Sequence, residues 1–219
     1  MRLEEMKIVK KYFPALAKSI LAGILIGIAG TIYLTLVKEN QKVLGSFMFG
    51  FGLLVIVANG LYLYTGKVGY LIDKDGFSIQ TILLMVIGNL LGLSLIVAVL
   101  YMSNQTGIIE TAKELTAHKM EHTAYEMLGL SILCGMMMYL GVEGYRRIKN
   151  DVARVVIVIM AVSIFILAGF EHSIADLFYF LTAWSLDWKA FGFILILLVG
   201  NGIGAIVLNL LEKAAKIKE

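Results

Sequence analysis

The run Gly169–Asp176, G-F-E-H-S-I-A-D, places Glu171, His172 and Asp176 within six residues. It follows the apolar V-V-I-V-I-M-A-V-S-I-F-I-L-A and leads directly into L-F-Y-F-L. Histidine is the side chain whose ordinary pKa lies closest to neutrality, so it is the natural proton carrier of such a set. A glutamate beside a histidine also suits acid–base catalysis, but no serine–histidine pairing with a third orienting group accompanies it. His118 and His122 are spaced for a metal on one helix face, yet no third ligand stands near them. Neither an enzyme nor a metal or cofactor site is expected. What remains is one histidine flanked by carboxylates inside an apolar chain.

The elements that position it read as membrane spans. Of 219 residues, 59% are hydrophobic and 16% charged, and the mean hydropathy is +0.86. Soluble domains are about half apolar, and several stretches here reach the roughly 20 residues that cross a bilayer. The pattern predicts an all-α integral membrane protein with six spans: Leu16–Val37, Val43–Tyr64, Ile79–Tyr101, Ala124–Val142, Val152–Ala168 and Phe191–Leu211. Residues 1–14, with Leu3, Met6, Val9 and Phe13 near helical spacing, read as an amphipathic surface helix. Pro14 then opens the first span, where a missing N–H costs nothing.

Basic residues sort by side. Arg2, Lys7, Lys10, Lys11, Lys67, Lys74, Arg146, Arg147, Lys149, Arg154, Lys213, Lys216 and Lys218 fall on one face. Lys38, Lys42, Lys113, Lys119 and Lys189 fall on the other. The excess places both termini in the cytoplasm. The small net charge of +3 follows this topology and marks no nucleic-acid face. Cys134 is the single cysteine, so no disulfide forms within the chain.

Two regions are not simple spans. The 33 residues from Val152 to Trp184 are too long for one straight helix and too short for two with a loop. The chain after span 2, G-K-V-G-Y-L-I-D-K-D-G, is similarly irregular. A helix broken inside the membrane explains both, and such breaks are tolerated only against protein or a water-filled cavity. Span 3 contains G-N-L-L-G and span 6 contains G-N-G-I-G, their asparagines Asn89 and Asn201 lying 29 residues after Gly60 and 32 after Gly169. The reading is two inverted three-helix repeats, 15–101 and 119–212, with helices 2 and 5 broken near the midplane. Gly23 and Gly27 suit close packing of span 1, within the chain or against a neighbour.

These motifs resemble the formate/nitrite transporter family. Its span-5 signature appears as G-F-E-H-S-I-A, its span-2 pattern as L-Y-T-G from Leu63 to Gly66, and its K-x-x-H-T as Lys119–Thr123. The resemblance covers essentially the whole chain. It implies an aquaporin-like bundle, a homopentamer with one pore per protomer, and residence in a prokaryotic plasma membrane. It implies passage of small monovalent anions or their conjugate acids: formate, nitrite, hydrosulfide, lactate or acetate. Carried over by position, His172, Thr65 and Asn201 are the central residues, and Lys119 is the vestibule cation. Phe49 and Phe165 form one constriction, and Leu53 and Leu63 help form the other. The departures are Tyr62 for an acidic residue, Tyr64 for a phenylalanine and Gly135 for an asparagine, which alter the polar surroundings of the pore.

The chemistry such a pore needs is clear. A bare anion in an apolar slit is costly, whereas its neutral acid passes. A cation at the entrance and a protonatable group between the gates meet that need. Each residue also has a plainer reading. On that reading His172 is only a hydrogen bond joining Thr65 and Asn201. Glu171 suits the exposed N–H groups of a broken helix, Asp176 suits the cap of the second half-helix, and Lys119 suits a solvated loop. Two alternatives stand beside an anion pathway: a channel for small neutral solutes, and a membrane protein that uses the fold without conducting.

Overall fold

The computed structural model describes residues 3–217, with side chains from residue 12 onward. Its first helix, α1, runs unbroken from Leu3 to Lys38. Pro14 therefore lies inside a helix and not at its first position, and the surface segment is continuous with the first span. The side chains of Leu3, Met6 and Val9 lie outside the described residues, while Phe13 is exposed.

The order continues with α2 (Lys42–Ala58), α3 (Tyr64–Lys67), a short 3-10 helix (Val68–Ile72), α4 (Ile79–Met102), α5 (Thr106–Lys119), α6 (Ala124–Arg147), α7 (Asp151–Leu167), α8 (Ser173–Thr182) and α9 (Trp188–Ala214). Nine α-helices thus stand among the described residues where the hydropathy pattern suggests six spans. Four are long and apolar enough to cross a membrane: Tyr12–Lys38, Ile79–Met102, Ala124–Arg147 and Trp188–Ala214. The additional elements are the half-helices behind the breaks and α5, an amphipathic helix in a stretch where the hydropathy pattern marks no element.

Helix packing is close because small residues meet backbone. A Cβ on Gly23 of α1 would collide with the Asn89 carbonyl of α4, and one on Gly135 of α6 would collide with the Asn201 carbonyl of α9. Gly135 is therefore a packing residue, and Gly23 and Gly27 pack within the chain, the latter against Ile96. Outward stripes such as Leu83, Ile87, Leu91, Leu95 and Val99 on α4 stay exposed. Such faces suit a lipid or protein covering and not water.

The ends of the bundle are tied differently. At one, Lys213 Nζ bonds Asp73 at 2.7 Å, Arg147 pairs with Glu212, and the Tyr70 hydroxyl donates to Glu143 at 2.5 Å. Several of the basic residues expected on one face meet here. At the other end, Lys189 Nζ donates to the Met120 carbonyl at 3.1 Å, and the Tyr101 hydroxyl donates to the Thr182 carbonyl at 3.0 Å.

Candidate functional site

Two interruptions meet in the middle of the bundle, and local chemistry produces each. α2 ends at Ala58, earlier than the hydropathy pattern suggests, because Gly60 takes a left-handed φ of +59°. Gly169, after α7, has φ of +74°. Both ends close by the same capping bonds. Leu61 N–H donates to Ile56 O and Gly60 N–H to Val57 O, at 2.9 and 3.2 Å. Phe170 N–H donates to Phe165 O and Gly169 N–H to Ile166 O, at 2.9 and 3.3 Å. This is the Schellman arrangement, which glycine allows without steric cost.

Each break is then held by an asparagine from another helix. Asn89 Oδ1 accepts from Tyr64 N–H at 2.9 Å, and its Nδ2 donates to Tyr62 O at 3.0 Å and Ser19 O at 2.8 Å. Asn201 Oδ1 accepts from Ser173 N–H at 2.9 Å, and its Nδ2 donates to Glu171 O at 2.9 Å and Ser131 O at 2.8 Å. Both asparagines are fully buried. They satisfy backbone groups that the breaks leave open, which would otherwise be expensive in an apolar setting. Asn201 thus bonds the backbone on either side of His172 and not its ring.

His172 sits at the N-cap of α8. Its Nδ1 accepts the Ala175 N–H at 3.1 Å, which leaves the ring proton on Nε2. That nitrogen stands 2.9 Å from Thr65 Oγ1, joining the two half-helices. Asp176 lies within the first turn of α8, so the cap expected of it is supplied by His172. The Phe165 ring stacks on the His172 ring at 5.4 Å between centroids, and Phe49 meets Phe165 edge-on at 6.4 Å. Phe49, Phe165, Leu53 and Leu63 are all buried.

Above this layer lies a cavity of about 410 Å³ whose lining includes Phe165, His172, Glu171, Asp176 and Lys119. Lys119 closes α5 and points inward. Its ammonium pairs with Glu171 and stands 2.9 Å from Asp176 Oδ1. Burial alone would lower the Lys119 pKa, but the carboxylates of Asp176 and Glu171 outweigh it and hold it above the usual lysine value. The carboxylates expected to hold broken-helix ends therefore hold a lysine 52 positions from Glu171. α5 stops at Lys119, so His118 and His122 share no helix face. Instead His118 stands 3.4 Å from Glu121, and His122 stands 3.8 Å from Glu126.

Sequence reasoning misses three contributors. Tyr33 and Tyr179 line the cavity, their rings 6.0 Å apart. Tyr64 stands out in the sequence only as a departure, yet its hydroxyl donates to the Leu198 carbonyl of α9 at 2.7 Å, anchoring the half-helix that carries Thr65. The hydroxyl itself is the available signal, since a buried tyrosine O–H must find an acceptor.

Comparisons with known proteins place the fold and the family. The formate channel FocA of Haemophilus influenzae is 29% identical over 191 residues, covering 77% of this chain and 66% of that protein. The Escherichia coli formate channel FocA is likewise 29% identical, with 73% of this chain and 62% of that protein aligned. The chain thus spans somewhat under two thirds of the length of these channels. The formate-nitrite transporter of Plasmodium knowlesi is 28% identical, with 91% of this chain and 76% of that protein aligned. A solved pentameric formate channel with formate bound superposes with a TM-score of 0.82 at 22% identity, covering 96% of this chain and 99% of that one. These relatives are channels and transporters rather than enzymes. The family profile for formate/nitrite transporters matches residues 2–213, and this multi-pass membrane protein belongs to the formate/nitrite transporter family.

Proposed function

We propose that the chain is a membrane channel for small monovalent anions or their conjugate acids, such as formate, nitrite, hydrosulfide or short carboxylates. The observation that carries this reading is the Thr65–His172 hydrogen bond at the junction of two half-helices, beneath the Phe49–Phe165 pair and beside the Lys119 cavity. Rings at that position oppose a bare charge far more than a neutral acid. The N-terminal end of α8 adds positive potential where the species must pass. His172 assists protonation by offering its Nε2–H to the permeant as a hydrogen bond in place of Thr65, between the phenylalanine constriction and a second one involving Leu53 and Leu63, while the transferred proton comes from the vestibule. Lys119 supplies the cation at the entrance, where it is paired with Glu171 and Asp176.

The architecture that goes with this reading has six spans, two of them composite, α2 with α3 and α7 with α8. Residues 15–101 and 119–212 form inverted repeats, supported by the like bonding of Asn89 and Asn201 and by the like caps at Gly60 and Gly169. Residues 1–14 lie at the cytoplasmic surface, and both termini are cytoplasmic in a prokaryotic plasma membrane. The assembly is a homopentamer, as in the solved formate channel.

The test is stopped-flow uptake into proteoliposomes at several pH values, comparing formate, nitrite, hydrosulfide, acetate and lactate in wild type and His172→Ala. Flux that is lost, or loses its pH dependence, in the variant supports the reading. No flux above empty liposomes for any of them overturns it in favour of another solute or a non-conducting member.

A further inference from the structure

The vestibule is not the cationic funnel that a lone Lys119 implies. Its lining carries Lys42 and Lys119 against Glu121, Glu126, Glu171 and Asp176, so an arriving anion meets more carboxylates than ammonium groups. At the floor the imbalance is sharper: one ammonium is held between two carboxylates. Asp176 is 2% exposed and Glu171 3%. With both ionised, the buried cluster carries a net negative charge directly on the path of the permeant. Two close carboxylates in such a place hold one proton between them, because like charges so near cannot both ionise cheaply.

The structure holds a place for that proton. Asp176 Oδ2 is buried and meets no hydrogen-bond donor. The carboxyl groups of Asp176 and Glu171 converge on the one Lys119 ammonium, which makes them neighbours. Two ionised carboxylates so placed repel each other, and a single shared proton relieves that repulsion. His172 is less suited to hold the proton. Its Nδ1 already accepts from Ala175 N–H, so forming the imidazolium breaks the cap of α8. The other groups near Asp176 are the tyrosines Tyr33 and Tyr179 and the thiol of Cys134, and His118 and His122 stand further out on the cavity wall.

We propose that Asp176, sharing one proton with Glu171 beside Lys119, is the proton donor that neutralises the incoming small acid anion. This inference rests on the channel reading above. The shared proton passes to the anion's oxygen, the neutral acid enters between Phe49 and Phe165, and the pair is left doubly ionised against Lys119. Vestibule water on the same side returns a proton to the pair, so the cycle balances without another reactant.

The test is formate uptake by proteoliposomes across pH in wild type and Asp176→Asn, which keeps an oxygen for Lys119 but cannot transfer a proton. Loss of a positioned acid is expected to reduce uptake by about tenfold or more. The remaining flux then follows only the bulk concentration of neutral formic acid. A wild-type pH profile and rate in Asp176→Asn overturns the inference and leaves the channel reading intact. A higher rate in Asp176→Asn also overturns it, because Asp176 is then only a repelling charge. No uptake by the wild type of formate or of any other anion in the panel above overturns both. An infrared difference spectrum of the wild-type protein between about pH 5 and about pH 8 needs no variant to fold. A buried protonated carboxyl band that is sensitive to deuterium exchange is expected, and its absence overturns the shared proton.

Discussion

Asn89 and Asn201 make the same three hydrogen bonds at the two breaks. Each accepts from a backbone N–H just past the break, donates to the carbonyl two residues before that N–H, and donates to a serine carbonyl of a neighbouring helix. The two asparagines are what allow Thr65 and His172 to face each other from interrupted backbone. Replacing either with alanine leaves buried backbone groups without partners, each worth about 1–3 kcal/mol. Asn89→Ala and Asn201→Ala are each expected to lose roughly 3–5 kcal/mol of stability, read as a lowered thermal unfolding midpoint in detergent. An unchanged midpoint would show that water replaces these bonds.

Gly135 supplies a sharper packing test. Gly135→Ala drives a Cβ into the Asn201 backbone and is expected to cost about 1–3 kcal/mol. Gly129, also on α6, has open space within 4 Å of where a methyl group would sit, and Gly129→Ala is expected to stabilise by about 0.5–1 kcal/mol through helix propensity. Equal effects of the two substitutions on the unfolding midpoint would mean that the α6–α9 contact yields to an added methyl group.

The Thr65–His172 bond separates two more variants. Thr65→Val keeps the shape and removes the hydroxyl, leaving His172 Nε2–H buried without its acceptor, a loss of about 1–3 kcal/mol. Thr65→Ser retains the bond and is expected to keep both stability and uptake near wild type. Should Ser behave like Val, the hydroxyl would not be the operative group.

Tyr64→Phe removes only the bond to the Leu198 carbonyl. A loss of about 0.5–1.5 kcal/mol is expected, with faster hydrogen exchange confined to the segment carrying Thr65. Exchange that is unchanged there would mean that packing alone holds α3.

Lys119 behaves as a fixed charge across the physiological range. Its pKa lies above the ordinary 10.5, since Asp176 and Glu171 outweigh the effect of burial. A raised pKa contributes stability that is fully present below the unfolded value and is lost as pH rises through the folded value. The lysine's own titration therefore leaves stability flat up to about pH 10 and lowers it only beyond. Lys119→Met removes the ammonium held between two buried carboxylates and is expected to cost about 3–5 kcal/mol. That cost is expected to shrink on acidification, when the carboxylates take up protons. Unfolding midpoints measured against pH for both proteins decide this, and a pH-independent difference between them would contradict it.

Much of the arrangement is legible in the sequence because it is set locally. Continuous apolar runs locate the long helices, since only length and hydropathy decide whether a helix crosses a bilayer. Gly60 and Gly169 end helices because their backbone takes a conformation that other residues resist. The motif around His172 marks the second break. What the sequence leaves undecided depends on residues distant in the chain. Glu171 and Asp176 read as a backbone partner and a helix cap, because nothing local shows that Lys119 arrives from α5, 52 positions before Glu171. Gly135 reads as a change in pore polarity until the α6–α9 approach puts it against Asn201. α5 itself escapes a hydropathy reading because its apolar stripe is short and becomes meaningful only against α1 and α8. Spans and breaks follow from hydropathy and backbone preference along the chain. Charge pairing and helix contact are matters of distance in space, and only the packed bundle sets those distances.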